Sequence, residues 1–182
     1  MKPAMSLRAA TPADSAAIKK LLAGATLPTA GVEKHLETFL VVESGLAGNA
    51  TGDRLPSEPG GLNSGLSSEP GELNCGLPTK PGNLIGVGGL EIHGRLALLR
   101  SLAVDDRHRR MGIASRICAR LEEEAAERGI VRIYLLTETA ESFFTKRGYS
   151  VTARTDAPAE IVATQEFTTL CPDSAVLMVR AC

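Results

Sequence analysis

The sequence has no excess of charge of either sign and no apolar run long enough to cross a membrane. Its 182 residues include 20 lysines and arginines against 21 aspartates and glutamates, a formal net charge of -1 at pH 7. This balance gives no electrostatic reason to expect nucleic acid or an anionic membrane as a partner. A membrane helix needs about 20 apolar residues, and residues 1–8 lack the apolar core of a secretory signal. We therefore expect a cytoplasmic protein that binds neither nucleic acid nor membranes.

Cysteine is scarce and never closely paired. The four cysteines lie far apart, at positions 75, 118, 171 and 182, so the sequence contains no CxxC pair. Zinc sites usually need such closely spaced ligands, and we therefore expect no metal. In a cytosolic chain the four side chains are expected to be free thiols. Cys118 lies within a predicted helix and suits a small core residue.

One segment, residues 44–83, differs in composition from the rest of the chain. It is rich in Gly, Pro and Ser, and a unit that ends in Pro-Gly recurs at Gly60, Gly71 and Gly82. The Pro-Gly pairs oppose a helix or a central strand, and the segment has too little apolar surface to offset its ordering entropy. We expect a disordered or loosely ordered insert within one domain that spans residues 1–182. A partner-binding role for the insert is the alternative.

The remaining chain mixes helical and strand patterns. The spacing of apolar residues predicts helices at 14–22, 112–128 and 140–147, a short helix or turn at 32–38, and helical residues near 158–167. Apolar or alternating runs predict strands at 39–43, 84–92, 96–104, 131–136, 149–154 and 175–180. This order predicts an α/β or α+β fold with a central mixed sheet.

The loop between the strand at 96–104 and the helix at 112–128 is the most informative part of the sequence. A helix N-terminus presents unpaired N–H groups and a positive dipole end, which together make an anion site. Gly112 has no Cβ to hold a phosphate away from the backbone, and Arg107, Arg109 and Arg110 add positive charge. The GxxxxGK[ST] and GxGxxG phosphate motifs are absent. The loop predicts a phosphate site of another kind, with a solvated turn as the alternative.

Two motifs resemble a known family. Arg109-x-x-Gly112-x-Ala114, between an apolar strand and an amphipathic helix, resembles the acetyl-CoA motif of the GNAT N-acetyltransferases. The segment from Phe143 to Tyr149 is similar to the second signature of that family, an aromatic residue followed by Gly and another aromatic residue. The resemblance covers nearly the whole chain except residues 44–83. It implies the GNAT fold, a mixed and mostly antiparallel sheet flanked by helices, with acetyl-CoA as the co-substrate.

The resemblance also implies which residues contact the cofactor. Backbone N–H groups near Leu102–Val104 would hold the pantetheine and polarise the thioester carbonyl, and the helix start would hold the pyrophosphate. The implied contacts are Leu102, Ala103, Val104, Arg109, Arg110, Met111, Gly112, Ile113, Ala114 and Ser115, together with Thr137 and Phe144 from the second signature. Phe144 stands where the family usually has a tyrosine general acid, and Thr137 stands where an asparagine is often found. The CoA thiolate would then be protonated by water or by another residue.

A narrower resemblance is to the GNAT enzymes associated with arsenic-resistance operons. It rests on blocks that are spread along the chain, at residues 27–30, 98–104, 134–144 and 167–175. It implies direct transfer of the acetyl group to a small-molecule amine, such as an amino-acid-like arsenical, and a homodimer is common in the family. Cys171 could act as a soft ligand for a trivalent arsenical, although packing is the simpler interpretation.

Three residues carry our predictions for the acceptor side of the reaction. Strand alternation turns Glu91 to the opposite face from its neighbours, and we take it as the candidate general base, with an ordinary solvent-facing glutamate as the alternative. Arg100 and Ser101 interrupt an apolar strand. We predict that they contact the substrate, with Arg100 binding a carboxylate through both of its arms. A structural ion pair is the alternative for Arg100.

The remaining histidines and tyrosines have simpler interpretations. His93 could assist Glu91, but its place beside Gly94 also suits a turn residue. His35 and His108 look like surface residues, and both tyrosines, Tyr134 and Tyr149, lie in strand patterns that favour packing.

The sequence is therefore consistent with three functions. The first is a small-molecule N-acetyltransferase that detoxifies an amino-acid-like arsenical or a related amine. The second is a protein or peptide N-acetyltransferase. The third is a non-catalytic acyl-CoA-binding or arsenical-sensing module, which the phenylalanine at position 144 leaves open.

Overall fold

A computed structural model of the chain describes residues 5–45 and 83–182. The strands in these ranges are β1 (Met5–Ala9), β2 (Phe39–Ser44), β3 (Asn83–His93), β4 (Leu96–Val104), β5 (Arg132–Thr137), β6 (Ser150–Val151) and β7 (Val176–Ala181). The α-helices are α1 (Ser15–Gly24), α2 (Ile113–Glu127), α3 (Glu141–Thr145) and α4 (Ala159–Val162). Short 3-10 turns span Pro12–Asp14, Glu33–Thr38, Asp106–His108 and Arg154–Asp156, and a π-helical turn spans Glu166–Leu170. None of these helices is long and apolar enough to cross a membrane.

The strands form one sheet in the order β1-β2-β3-β4-β5-β7-β6. β4 and β5 are parallel, and every other neighbouring pair is antiparallel. A parallel pair needs a crossover connection, and α2 supplies it between β4 and β5. The prediction of a mixed, mostly antiparallel sheet flanked by helices is therefore confirmed.

Each face of the sheet carries its own core. On one face, the apolar side of α2 packs against alternate residues of β3, β4 and β5, including Leu90, Ala97 and Leu99. On the other face, α1 and the turn Glu33–Thr38 cover the first half of the sheet, and α4 covers the second half. Leu98 belongs to this second face because successive strand residues alternate in direction. Residues at the centre of the sheet can therefore contact either of two separate cores.

Glycines in β3 let α2 lie close to the sheet. A Cβ built on Gly86 would lie 2.7 Å from Ile113 Cγ2, and one on Gly88 would lie 2.7 Å from Ile117 Cγ2. Any larger residue would push the helix outward. This close contact fixes the start of α2 beside the carboxyl end of β4.

Most of the predicted elements are present, and four differ. β1 was not predicted. The predicted strand at 149–154 shortens to β6, because the Arg154 side chain donates to the carbonyls of Pro172 and Ala175 and the chain turns there. The predicted helix at 140–147 shortens to α3. The predicted helical segment at 158–167 divides into α4 and the π-helical turn, because the Thr164 hydroxyl donates to the Ile161 carbonyl and ends α4.

The prediction of a loosely ordered insert at 44–83 falls almost entirely outside the described residues. Its two ends are described, and they are neighbours. Ser44 at the end of β2 pairs with Asn83 at the start of β3 in an antiparallel register. A short turn can therefore join the two strands.

Replacing residues 45–82 by an Asn-Gly turn is expected to leave the fold intact. The paired strand ends already lie together, and the free energy of loop closure depends only weakly on loop length. We expect the melting temperature to change by less than about 5 °C, since 1 kcal/mol corresponds to about 2–4 °C at this chain length. A variant that carries a Gly/Ser linker of the original length controls for loop length. A fall of more than about 10 °C in both variants would show that the native segment contributes to packing.

Candidate functional site

The centre of the sheet is forked. β4 and β5 pair only through Leu96–Leu98 and Arg132–Tyr134, although β4 continues to Val104. Beyond Leu98 the backbone of β4 is hydrogen-bonded to β3 on one side only. Its N–H and C=O groups on the other side have no strand partner among residues 5–45 and 83–182, and such groups need partners. The fork therefore offers a row of backbone hydrogen-bonding groups to an extended ligand.

A β-bulge lies within the separated part of β4. The pairing with β3 shifts between Val87 and Gly89, so that Ser101 and Leu102 together lie opposite one residue. Ser101 has a φ of 57°, which is unusual for a residue other than glycine. A bulge bends its strand and often lies beside a functional site. The Ser101 side-chain oxygen is buried here without a hydrogen-bond partner among the described residues.

The loop after β4 is held by one carboxylate. Asp105 accepts hydrogen bonds from the backbone N–H of Arg107, at 3.1 Å, and from His108 Nδ1, at 2.9 Å. The hydrogen bond from His108, more than the one from Arg107, holds the pKa of Asp105 below its ordinary value. The prediction that His108 is only a surface residue is therefore incomplete, since its ring helps to shape this loop.

The N-terminus of α2 is arranged to bind an anion. Gly112 is the N-cap residue with a φ of 80°, and no side chain caps the helix. The first intrahelical bond runs from the Arg116 N–H to the Gly112 carbonyl, at 3.1 Å. The N–H groups of Ile113, Ala114 and Ser115 therefore have no intrahelical acceptor. A Cβ on Gly112 would meet nothing within 4 Å, so the space beside this N-cap residue is open.

Three arginines belong to the loop that leads to this open space. Arg109 pairs with Asp106 at 2.7 Å, and Arg107 and Arg110 belong to the same loop. Arg110 has a φ of 65°, so the backbone turns sharply just before the helix. Free N–H groups, a helix dipole and arginine charge together suit a phosphate. The residues present therefore fit the phosphate end of a CoA molecule, with the fork of β4 leading away from it.

The opposite face of the fork carries a buried charge cluster. Arg100 Nη1 donates to Glu91 Oε2 at 2.9 Å, and Arg100 Nη2 lies 2.8 Å from Glu166 Oε1. Nη2 also donates to the Ala30 carbonyl at 2.6 Å. The side chains of Arg100, Glu91 and Glu166 are only 2%, 8% and 10% exposed. Burial of one cation with two carboxylates is favourable only because each charge has a close partner.

Two histidines complete this cluster around Glu91. His93 Nε2 lies 3.1 Å from Glu91 Oε1, and His35 Nε2 lies 3.6 Å from the same oxygen. The prediction of a surface role for His35 is wrong, because its ring is largely buried beside Glu91. Burial lowers the pKa of His35 below its ordinary value of 6.5, and the Glu91 carboxylate offsets part of that effect.

The structure places Arg100 in the ion pair that was the alternative interpretation of the sequence. Sequence patterns do not single out Glu166, which is brought to Arg100 by the π-helical turn. A carboxylate within a segment of helical spacing was the one feature that could have pointed to Glu166. Its partner, Arg100, lies 66 positions away in the numbering, so the sequence does not connect the two. Ordinary helix patterns do not reveal a π-helical turn, although such turns are frequent at functional sites.

Phe144 and Thr137, the two positions taken from the second signature, both contact neighbouring residues of the fold. Phe144 is buried, with its ring edge-on to Tyr149 at a centroid distance of 5.4 Å. Thr137 ends β5, and its hydroxyl accepts a hydrogen bond from the Ala140 N–H at 3.0 Å. Tyr134 and Tyr149 are buried, as the sequence predicted. Burial also raises the pKa of Tyr149 above its ordinary range, so this phenol is a poor proton donor.

The described cysteines have unreactive surroundings. Cys118 is fully buried in α2, as the sequence predicted, and burial raises its pKa to about 12. Cys171 Sγ lies 3.2 Å from Glu166 Oε2, and its pKa is raised to about 12 by burial and then by that carboxylate. No group of three or more His, Cys, Asp or Glu side chains in residues 5–45 and 83–182 is arranged to hold a metal ion.

Known structures share this architecture. N-acetylglutamate synthase from Neisseria gonorrhoeae, complexed with coenzyme A and N-acetyl-glutamate, matches with a TM-score of 0.67 at 17% identity. The match covers 100% of this chain but only 36% of that enzyme. A protein from Mycobacterium tuberculosis in complex with CoA and NLQ matches over 97% of this chain and 99% of its own length, with a TM-score of 0.65 at 19% identity. At such identities the likeness establishes the fold.

A third known structure also shares this fold. Ard1 from Thermoplasma volcanium matches over 98% of this chain and 97% of its own length, with a TM-score of 0.61 at 18% identity. None of the curated proteins matches the chain by sequence. The model of the acetyltransferase (GNAT) family matches residues 54–149, just over half of the chain, including the loop and helix start described above. The chain therefore belongs to the acetyltransferase (GNAT) family.

Proposed function

We propose that the protein transfers the acetyl group of acetyl-CoA directly to the amine of a small molecule. The observation that supports this most strongly is the continuity between the fork and the uncapped start of α2. The N–H groups of Ile113–Ser115 would bind the pyrophosphate, with Arg109, Arg110 and the Met111–Gly112 turn around it. The free edge of β4 at Leu102–Val104 would hold the pantetheine amides.

The same strand edge would prepare the thioester for attack. An N–H group of β4 that points into the fork would donate to the thioester oxygen and stabilise the negative charge that develops there. The amine nitrogen would form a bond to the carbonyl carbon, and the C–S bond would break to release the CoA thiolate. One proton leaves the amine, and one must reach the thiolate. Phe144 has no hydroxyl to supply it, so solvent is the proposed donor.

The proposed acceptor side is the face opposite α2. Glu91 pairs with Leu98, the last residue of β4 that still pairs with β5, so its side chain lies at the branch point of the fork. We assign Glu91 to the basic group that takes up the ammonium proton, either alone or together with a neighbouring side chain. Arg100 and Ser101 lie two or three positions further along β4, and we assign them to the substrate.

Replacement of Glu91 by Gln is expected to lower turnover by at least about tenfold, because general base catalysis contributes factors of this size or larger. The affinity for acetyl-CoA should stay unchanged, since the phosphate site lies on the other face of the sheet. Steady-state kinetics and calorimetry measure the two quantities. Glu37→Gln, on the nearby turn Glu33–Thr38, is the matched control. An unchanged rate in Glu91→Gln would remove Glu91 from the mechanism.

An amino-acid-like acceptor is the proposed substrate class. A carboxylate on the substrate could take the place of Glu166 against Arg100, since both would present two oxygens to the same guanidinium. Two of the structural neighbours were solved with N-acetyl-glutamate and with NLQ. The blocks shared with arsenic-resistance enzymes add an arsenical amino acid to the candidates. A cytoplasmic location and a homodimer are part of the same proposal and rest on the sequence.

A protein or peptide acceptor is the second candidate. It is supported by the likeness in fold to Ard1 from Thermoplasma volcanium. A non-catalytic acyl-CoA-binding module is the third, because position 144 lacks the hydroxyl expected of a general acid.

Acetyl transfer to a panel of amines, read by mass spectrometry, tests these proposals. The panel holds amino acids, glutamate-like phosphinates and arsenicals, polyamines, aminoglycosides and short peptides. Strong preference for one amino-acid-like acceptor would support the proposed function. Preference for peptide N-termini would replace it by the second candidate. Acetyl-CoA binding without any acetylated product would contradict both enzymatic proposals and favour the third.

A further inference from the structure

Glu91 is poorly placed to act on an amine by itself. Its Oε2 atom accepts a hydrogen bond from Arg100, and its side chain is almost fully buried. A protonated Glu91 would lose much of the ion pair that keeps Arg100 stable inside the protein. The contact with Arg100 therefore favours a role in which this carboxylate acts on a neighbouring group.

The neighbouring group is the imidazole of His93. An ionised carboxylate only accepts hydrogen bonds, so the 3.1 Å contact requires His93 Nε2 to donate to Glu91 Oε1. In the neutral ring the other nitrogen, Nδ1, then carries the lone pair. The His93 side chain is 26% exposed, against 8% for Glu91, so the ring is the accessible end of the pair. No hydrogen bond to Nδ1 is formed by the described residues.

We propose that Glu91 and His93 act as one base and that Nδ1 of His93 is the atom that receives the proton of the acceptor amine. This inference rests on the proposed acetyl transfer. As the N–C bond forms and the C–S bond breaks, the N–H proton moves to Nδ1, and the resulting imidazolium is stabilised by the Glu91 carboxylate. The exposed ring then returns the proton to solvent. Glu91 is a positioning residue in this scheme, because it fixes which nitrogen is free.

His35 is the competing imidazole, and its surroundings are less suitable. Its Nε2 lies 3.6 Å from Glu91 Oε1, too far for a hydrogen bond. Burial lowers its pKa, and the charges of Arg100 and Lys34 act in the same direction. Glu166, the other carboxylate of the cluster, is already paired with Arg100.

Chemical rescue distinguishes a base from a structural residue. His93→Ala is expected to lower kcat by about 100-fold, and added imidazole should restore at least a tenth of the lost rate because it can enter the space of the missing ring. His35→Ala is the matched control, since its ring contacts the same carboxylate oxygen; we expect a small loss and no rescue. His93→Gln can still donate to Glu91 but has no basic nitrogen. It should keep the melting temperature and acetyl-CoA affinity of the unsubstituted enzyme and have the low turnover of His93→Ala.

Two results would overturn the inference alone. The first is a His93→Gln enzyme with undiminished turnover. The second is a folded, acetyl-CoA-binding His93→Ala enzyme that imidazole fails to rescue, which would assign His93 a structural role. Rescue of His35→Ala in place of His93→Ala would also overturn it. Absence of acetyl transfer by the unsubstituted enzyme to every amine would instead overturn the proposed function and, with it, this inference.

Discussion

Gly112→Glu is expected to weaken acetyl-CoA binding by at least about 100-fold, or about 2.7 kcal/mol. The new side chain would enter the open space in front of α2, where the phosphates are proposed to bind. Its carboxylate would occupy the anion position and repel the phosphates. The φ of 80° at this position is also unfavourable for any residue with a Cβ. Calorimetric titration with acetyl-CoA measures the loss.

Gly129→Glu is the matched control for this experiment. Gly129 follows the other end of the same helix, has a φ of 73°, and has no heavy atom within 4 Å of a built Cβ. The variant therefore introduces the same side chain with similar backbone strain, far from the proposed phosphate site. It should bind acetyl-CoA normally. Normal binding by Gly112→Glu as well would show that the cofactor does not use the start of α2.

Arg100→Met is expected to be the most destabilising of the proposed substitutions. Removal of one partner from a buried ion pair typically costs about 3–5 kcal/mol, because it leaves an uncompensated buried charge. Here it would leave two carboxylates, Glu91 and Glu166, without their shared cation. The melting temperature should fall by about 6–20 °C. Urea unfolding monitored by circular dichroism gives the corresponding change in free energy.

An exposed ion pair provides the comparison. Lys19 and Glu33 lie 2.6 Å apart, and both side chains are open to solvent. Lys19→Met removes the same kind of charge and should change the stability by less than about 1 kcal/mol. A loss below about 1 kcal/mol in Arg100→Met too would mean that water reaches the cluster and compensates its charges.

The parts of the site that were predictable are those encoded locally. The apolar face of α2, Gly112 at its start and the arginines before it lie within one stretch of sequence, and helix physics alone indicates an anion site there. The alternation around Glu91 also holds, since Leu90 packs on the α2 face while Glu91 contacts Arg100 on the other. In both cases the regular repeat of the helix or strand determines the face on which each side chain lies.

The rest of the site depends on long-range geometry. The cluster joins Glu91, Arg100, Glu166 and His35 from four different elements, and no sequence period relates them. The fork depends on how far two parallel strands stay paired, and each strand alone reads as an ordinary apolar run. β1 was missed because an alternating run of only five residues is a short signal, and its order depends on pairing with β2. Local propensity is often overridden by such tertiary context.

The position of the fork affects which strands of this fold can change during evolution. Ligands that bind to a β-sheet through backbone groups commonly add to an outer strand. Here the available backbone lies between the fourth and fifth strands of seven, so the outer strands β1 and β6 take no part in it. Those strands do not border the fork, so changes in their length and sequence are expected to affect the chemistry less than changes beside the fork. Evolutionary change in this protein and its relatives is thus expected to be greatest at the two ends of the sheet and least at its centre.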